Sequence, residues 1–140
     1  MSSSVWRSSY PDVAVGGTTW PAVVQAVIER QPDRIALVDG ASGASVTYAE
    51  FGRRVERISA WLAHHGVTAG DTVALWAPNT PPWAACALAA VRLGATVTAM
   101  NPTWTAEETA TQLADAGATV VVTIPKLAEL AVDMAVVPLE

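Results

Sequence analysis

The feature that most constrains the fold is an alternation of short apolar runs and capped helical segments from Thr72 onward. The runs 72–76, 95–100 and 118–124 are rich in Val, Ala and Thr, which is typical of parallel strands buried on both faces. Because parallel strands must be joined by crossovers, the segments between them are expected to be helices that cover the sheet. The pattern therefore predicts an α/β fold, a three-layer sandwich around a parallel sheet.

The predicted helices begin with recognisable capping signals. Segments 47–50 and 105–108 both read Thr-x-x-Glu, the spacing of a capping box. Residues 80–82 read Thr-Pro-Pro, and proline is tolerated in a first helical turn because the N–H there has no intrahelical partner. A last helix is predicted to start at Lys126 and to run to Asp133.

A helix and a hairpin precede this alternation. The helix is predicted over 21–30, and the hairpin pairs a strand at 35–38 with a return strand that begins at Val46. Residues 1–18 carry Ser and Gly runs without periodicity, so we predict an irregular N-terminal arm over 1–18 and one α/β domain over 19–140.

Composition and charge exclude several classes of function. With 8 basic and 13 acidic residues the formal net charge is −5, and nucleic acid is not an expected partner. A single cysteine, Cys86, cannot form an internal disulfide, and with two adjacent histidines it cannot supply a closed metal site. The start is polar and the apolar runs are too short for a membrane span, so we predict a cytoplasmic protein without a membrane partner.

Nucleotide-binding loops and catalytic pairs find no support in the residues. Neither G-x-G-x-x-G nor G-x-x-x-x-G-K-[ST] occurs, and residues 16–19, Gly-Gly-Thr-Thr, are better interpreted as a linker. His64 with His65 lies in the last turn of a predicted helix, and Glu107 with Glu108 in the first turn of another. Interaction with the helix dipole accounts for both pairs, so no catalytic, cofactor-binding or metal-binding residue is assigned.

Four residues are candidate pocket-lining positions. Trp76, Asn79, Asn101 and Trp104 all follow the carboxyl ends of predicted parallel strands. Ligands of open α/β sheets bind at that edge, and a tryptophan in a loop can line a ligand surface. For each residue alone, packing or turn formation is the better-supported role.

An ordered series of segments resembles the N-terminal portion of adenylate-forming, AMP-dependent acyl-CoA synthetases of the 4-coumarate–CoA ligase type. The series covers nearly the whole chain with compatible spacing. In chain order its members are 5–8 with 10–13, 32–38 with 46–51, 70–75 with 78–79, 92–95 with 101–102, and 105–116.

The resemblance implies a two-step ligase that needs ATP, Mg²⁺ and coenzyme A and activates a small-molecule carboxylate. The family's Ser/Thr/Gly-rich phosphate loop and its catalytic lysine would both come after these segments. The sequence therefore predicts the N-terminal part of such a ligase, binding no cofactor and inactive alone. Which acid is activated is left open.

Two alternatives stay open at this point. The chain could be a free-standing interaction module that self-associates or docks onto a complementary ligase fragment, since an incomplete open sheet leaves apolar surface and a strand edge uncovered. It could also be an unrelated small α/β binding domain, because fold alone does not give function.

Overall fold

The computed structural model describes residues 9–11 and 16–124, together with the backbone of one strand at 135–138. Helices and strands alternate along the chain much as the sequence predicts. Their order is α1 (Trp20–Arg30), β1 (Ile35–Val38), β2 (Ser45–Thr47), α2 (Tyr48–His64), β3 (Thr72–Trp76), α3 (Pro81–Arg92), β4 (Thr96–Met100), α4 (Ala106–Ala116), β5 (Val120–Thr123) and β6 (Ala135–Pro138).

The main sheet has four parallel strands in the order β4-β3-β5-β6. Strand β3 therefore lies between the two strands that follow it in sequence. Strands β1 and β2 form a separate antiparallel hairpin, with a register shift between Ile35 and Leu37. The predicted α/β class, the parallel sheet and the preceding helix and hairpin are confirmed.

Two hydrophobic clusters, one on each face of the sheet, account for the three layers. Along β3, Val73 and Leu75 belong to a cluster shared with α2 and α3, whereas Ala74 and Trp76 belong to a cluster shared with Leu113 of α4. This division follows the period of two by which successive side chains of a strand point to opposite faces. These four residues of the five-residue strand β3 are fully buried.

Helix α1 is attached to the outside of this sandwich rather than built into its core. None of its residues is buried, but it approaches α2 closely at Gly52. A Cβ atom on Gly52 would lie 3.1 Å from Cγ2 of Ile28. The glycine thus allows Ile28 to pack onto α2, whose inner face is formed by Phe51, Val55 and Leu62.

Both predicted capping boxes are present with reciprocal hydrogen bonds. The Thr47 amide donates to Oε2 of Glu50 at 2.8 Å, and the Glu50 amide donates to Oγ1 of Thr47 at 3.3 Å. The corresponding distances between Thr105 and Glu108 are 2.8 Å and 3.3 Å. Both boxes satisfy amides that the helix itself leaves without acceptors, and so fix the first residues of α2 and α4.

The capping carboxylates predict an acid-sensitive fold. The backbone N–H and then the hydroxyl of Thr47 hold the pKa of Glu50 below its ordinary value of 4.5, and Thr105 does the same for Glu108. A lowered folded-state pKa stabilises the fold above the unfolded-state value, and this contribution is lost as pH falls through the folded-state value. We expect the free energy of unfolding, measured in urea, to decrease as pH falls below 4.5.

The double variant Glu50→Gln with Glu108→Gln should flatten this pH dependence, because a neutral amide cannot titrate. Glu107→Gln is the matched control, since it changes a neighbouring carboxylate in the first turn of α4 that takes no part in the capping box. An acid profile that is unchanged in the double variant would contradict the assignment.

The C-terminal region contains a strand in addition to the elements that the sequence predicts. The predicted helix from Lys126 to Asp133 lies outside the described residues. Strand β6, which the sequence did not predict, pairs in parallel with β5, and Val121 is opposite Val136 in the register. Its last residue is Pro138. Proline has no N–H to donate to a neighbouring strand, and an edge strand tolerates it because one side of that strand needs no ladder hydrogen bonds.

Helix α1 begins at Trp20, directly after the predicted arm. The division into an arm at 1–18 and a domain at 19–140 stays a prediction. Among the helices that the structure describes, none combines the length and apolar character that a membrane crossing requires.

Candidate functional site

The carboxyl ends of β3, β4 and β5 lie side by side at one edge of the main sheet. In the register, Trp76 is opposite Met100 of β4 on one side and Thr123 of β5 on the other. The loop to α3 leaves from Trp76, and the loop to α4 leaves from Met100. We call this region the carboxyl edge; it is where open α/β sheets bind their ligands.

Trp76 is completely buried at the carboxyl edge, and its indole N–H and its backbone carbonyl both have hydrogen-bond partners outside the strand ladder. Its indole Nε1–H donates to the backbone carbonyl of Asn101 at 3.0 Å. Its own carbonyl accepts a hydrogen bond from the Thr123 hydroxyl at 2.7 Å, and Thr123 is also fully buried. These two hydrogen bonds join the carboxyl ends of β3, β4 and β5. The sequence analysis did not identify Thr123 as a residue of this edge.

Asn101 organises the residues that follow β4. Its side-chain Oδ1 accepts from the amide of Thr103 at 3.0 Å and from the Thr103 hydroxyl at 2.8 Å. Its carbonyl accepts from the Trp104 amide at 3.2 Å as well as from the indole of Trp76. The turn role predicted for Asn before proline is therefore present, and residues 101–104 form a compact unit that we call the 101–104 turn.

The four predicted pocket residues occupy different environments. Trp104 is partly exposed, and it packs against the cluster that contains Trp76. The side chain of Asn101 is exposed. Asn79 is exposed in the loop between β3 and α3, and no described contact joins it to the other three. The structure brings Trp76, Asn101 and Trp104 together, and Trp76 is buried beneath the other two. The pocket-lining role of the four residues stays a prediction.

The histidine pair has a local structural role. The Nδ1–H of His65 donates to the carbonyl of Trp61 at 2.8 Å, and the two rings stack with centroids 3.6 Å apart. His64 meets His65 edge to face at 5.3 Å between centroids. Within the described residues, no group of three His, Cys, Asp or Glu side chains is placed to hold a metal ion.

A shallow depression of about 430 Å³ lies on the outer surface of the molecule. It is lined only by charged side chains of one helix, α2, and the Glu50 carboxylate is already bound by the capping box. Its lining residues are Glu50, Arg53, Arg54, Glu56 and Arg57.

Cys86 is a core residue, and its chemistry predicts an inert thiol. It is 2% exposed in α3, and burial raises its pKa to about 12. Since the thiolate is the reacting form, we expect negligible modification by a chromogenic disulfide reagent in the native protein at mildly alkaline pH. In denaturant the same reagent should modify one thiol per chain. Rapid modification without denaturant would contradict the burial of Cys86 in α3. The variant Cys86→Ala, which has no thiol, is the control for background reaction.

Several curated proteins are similar to most of the chain. A 4-coumarate–CoA ligase 5 of Oryza sativa subsp. japonica is 40% identical over 123 residues, which are 86% of this chain and 23% of that protein. A 4-coumarate–CoA ligase 3 of the same organism is 36% identical over 137 residues, 94% of this chain and 25% of that protein. The chain thus spans about a quarter of the length of these relatives.

Solved structures share the fold. The O-succinylbenzoate coenzyme A synthetase MenE of Bacillus subtilis, determined with AMP, superimposes with a TM-score of 0.74 at 25% identity, over 83% of this chain and 30% of that chain. The N-terminal subdomain of NpsA from Klebsiella oxytoca gives a TM-score of 0.76 at 23% identity, over 85% of this chain and 30% of that chain, and shows the fold alone.

The family model described as AMP-binding enzyme matches residues 24–139, which include the main sheet and its carboxyl edge. This confirms the resemblance to adenylate-forming enzymes that the ordered segments indicated. The chain belongs to the AMP-binding enzyme family.

Proposed function

We propose that this chain is the N-terminal part of an ATP-dependent, AMP-forming acyl- or aryl-CoA ligase. The observation that carries the proposal is the family match over residues 24–139, supported by relatives that are CoA ligases. In the proposed reaction a carboxylate oxygen attacks the α-phosphorus of ATP, and pyrophosphate leaves to give an acyl-adenylate. The thiol of coenzyme A then attacks the acyl carbon, AMP leaves, and a thioester forms.

We propose that the 140 residues alone do not catalyse this reaction. Lys126 is the only lysine in the sequence, and no Gly-rich loop precedes it. The described residues include no group of three His, Cys, Asp or Glu side chains placed around one ion, so no step is assigned to a metal that they hold. ATP, Mg²⁺ and coenzyme A belong to the proposal for a longer protein, and the carboxyl edge would contribute a wall of its binding region.

The activity test compares two proteins. The 140-residue chain, incubated with ATP, Mg²⁺, coenzyme A and a panel of aromatic and medium-chain acids, should release no AMP above a protein-free control. Sequencing the source DNA past codon 140 tests whether the reading frame continues, and a longer protein encoded by it should form AMP and a thioester with at least one acid. Turnover by the 140-residue chain would refute the proposed inactivity, and a full protein inactive with every acid would refute the ligase assignment.

A second candidate function is that of an interaction module that self-associates or binds a complementary ligase fragment. It is favoured by apolar side chains on the outside of the hairpin, since Ile35 is 59% and Val38 is 61% exposed. Exposed apolar side chains are a feature of interaction sites where they form a contiguous patch. We also propose a cytoplasmic location, which rests on the single cysteine.

Light scattering coupled to size exclusion tests the second candidate. A self-associating module should elute at a multiple of 14.6 kDa, and Ile35→Lys with Val38→Lys should return it to that mass. Val23→Lys is a control on α1, where Val23 is 50% exposed but belongs to a different element. A monomer at every concentration would exclude self-association.

A further inference from the structure

The indole of Trp76 is tied to a loop from which it is separated by 25 residues. Its Nε1–H donates to the Asn101 carbonyl at 3.0 Å, at the first residue of the 101–104 turn. The same carbonyl accepts the Trp104 amide at 3.2 Å. One oxygen atom therefore connects a fully buried side chain of an inner strand with the backbone of an exposed turn.

The anchor of this connection is held from the other side as well. The Thr123 hydroxyl donates to the Trp76 carbonyl at 2.7 Å, and both residues have no exposed surface. A buried polar group without a partner is costly, so the indole N–H strongly favours the turn conformation that provides its acceptor. Movement of the 101–104 turn away from the sheet would leave this N–H without a partner in the core.

We propose that Trp76 is a positioning residue that holds the 101–104 turn, and with it the partly exposed Trp104 ring, in a fixed orientation at the carboxyl edge. The hydrogen bond from Nε1 sets the backbone of the turn, and packing of Trp104 against the Trp76 cluster sets the ring. A role of the 101–104 turn in ligand binding rests on the proposed function. The positioning of the turn by Trp76 does not depend on it.

Hydrogen exchange measured by NMR on the 140-residue chain, without any ligand, tests the positioning. Trp76→Phe retains a buried aromatic ring and removes the N–H donor. We expect the amides of Thr103 and Trp104 to exchange about fivefold faster or more, relative to the amides of Val73 and Val121 in the same sample. The ratio of the exchange rates of the turn amides to those of the strand amides distinguishes release of the turn from a general loss of stability.

Thr123→Val is the matched control. It removes the other hydrogen bond of Trp76, at an equally buried position, and leaves the Nε1 bond in place. We expect the exchange ratio of the turn amides to stay within about twofold of the unmodified chain. An unchanged ratio in Trp76→Phe, or an equal rise in Thr123→Val, would overturn the proposal.

The unmodified chain offers a second measurement that does not depend on the folding of a variant. The indole N–H of Trp76, assigned by selective labelling, should exchange with solvent much more slowly than that of the 55% exposed Trp20. Equal exchange rates for the two indole protons would also overturn the proposal. Since no substrate is present, these outcomes are independent of whether a longer protein is a ligase.

Discussion

Replacement of Leu75 by alanine is expected to lower the free energy of unfolding by about 3 kcal/mol. Leu75 has no exposed surface, and it lies on β3, between β4 and β5. Its side chain belongs to the cluster that joins the sheet to α2 and α3, so truncation leaves a cavity between two layers. A loss of this size is a large fraction of the stability of a small domain.

Urea denaturation followed by circular dichroism measures this loss, with the slope of the transition compared to confirm that the folded state is retained. Val38→Ala is the control, because Val38 is 61% exposed on a strand outside the main sheet, and its truncation should change stability by less than about 0.5 kcal/mol. A loss below about 1 kcal/mol for Leu75→Ala would contradict the burial that the structure assigns to β3.

Elements defined by local signals could be predicted from the sequence. The capping boxes at Thr47 and Thr105 depend on residues three positions apart, and both helices begin where those signals place them. The helix after Thr80 starts at Pro81, as the tolerance for proline in the first turn indicates. The strands β3, β4 and β5 follow apolar runs long enough to be recognised individually.

The spatial order of the strands could not be predicted in the same way. The position of β3 between β4 and β5 results from packing among residues distant in sequence, and no local signal specifies it. Strand β6 was missed because its four residues follow a segment with helical character and end in Pro138, which discourages a strand prediction except at an edge.

At the carboxyl edge, the sequence predicted the position of the residues but not their environment. The alternation along β3 places Trp76 on the same face as Ala74, and this face is covered by α4. A tryptophan at a strand end was therefore buried instead of exposed in a loop. The partner of its N–H depends on the side-chain rotamer and the course of a distant turn, and neither can be derived from spacing.

Gly94→Ala is expected to cost about 3 kcal/mol, more than a positive φ angle alone explains. Gly94 has a φ angle of +80°, in the left-handed region, and it follows Leu93, the C-cap residue of α3. The amides of Gly94 and Ala95 donate to Val91 and Ala90, which is the hydrogen-bond pattern of a Schellman motif. A Cβ atom at Gly94 would lie 2.9 Å from Cβ and 3.3 Å from Cα of Ala69.

Gly66 provides a matched control within the same chain. It has a φ angle of +86° at the end of α2, and the amides of Gly66 and Val67 donate to Ala63 and Leu62 in the same pattern. An added Cβ atom there would meet nothing within 4 Å. Gly66→Ala should therefore cost only the backbone term, about 1 kcal/mol.

The difference between the two variants isolates the contact with the loop before β3. The amide of Gly70 donates to the carbonyl of Gly94 at 3.1 Å, so this loop cannot retreat without losing a hydrogen bond. Adding Ala69→Gly to Gly94→Ala removes the closer of the two contacts and should recover part of the loss in urea denaturation. Equal losses for Gly94→Ala and Gly66→Ala would show that α3 and this loop do not pack as closely as the structure places them.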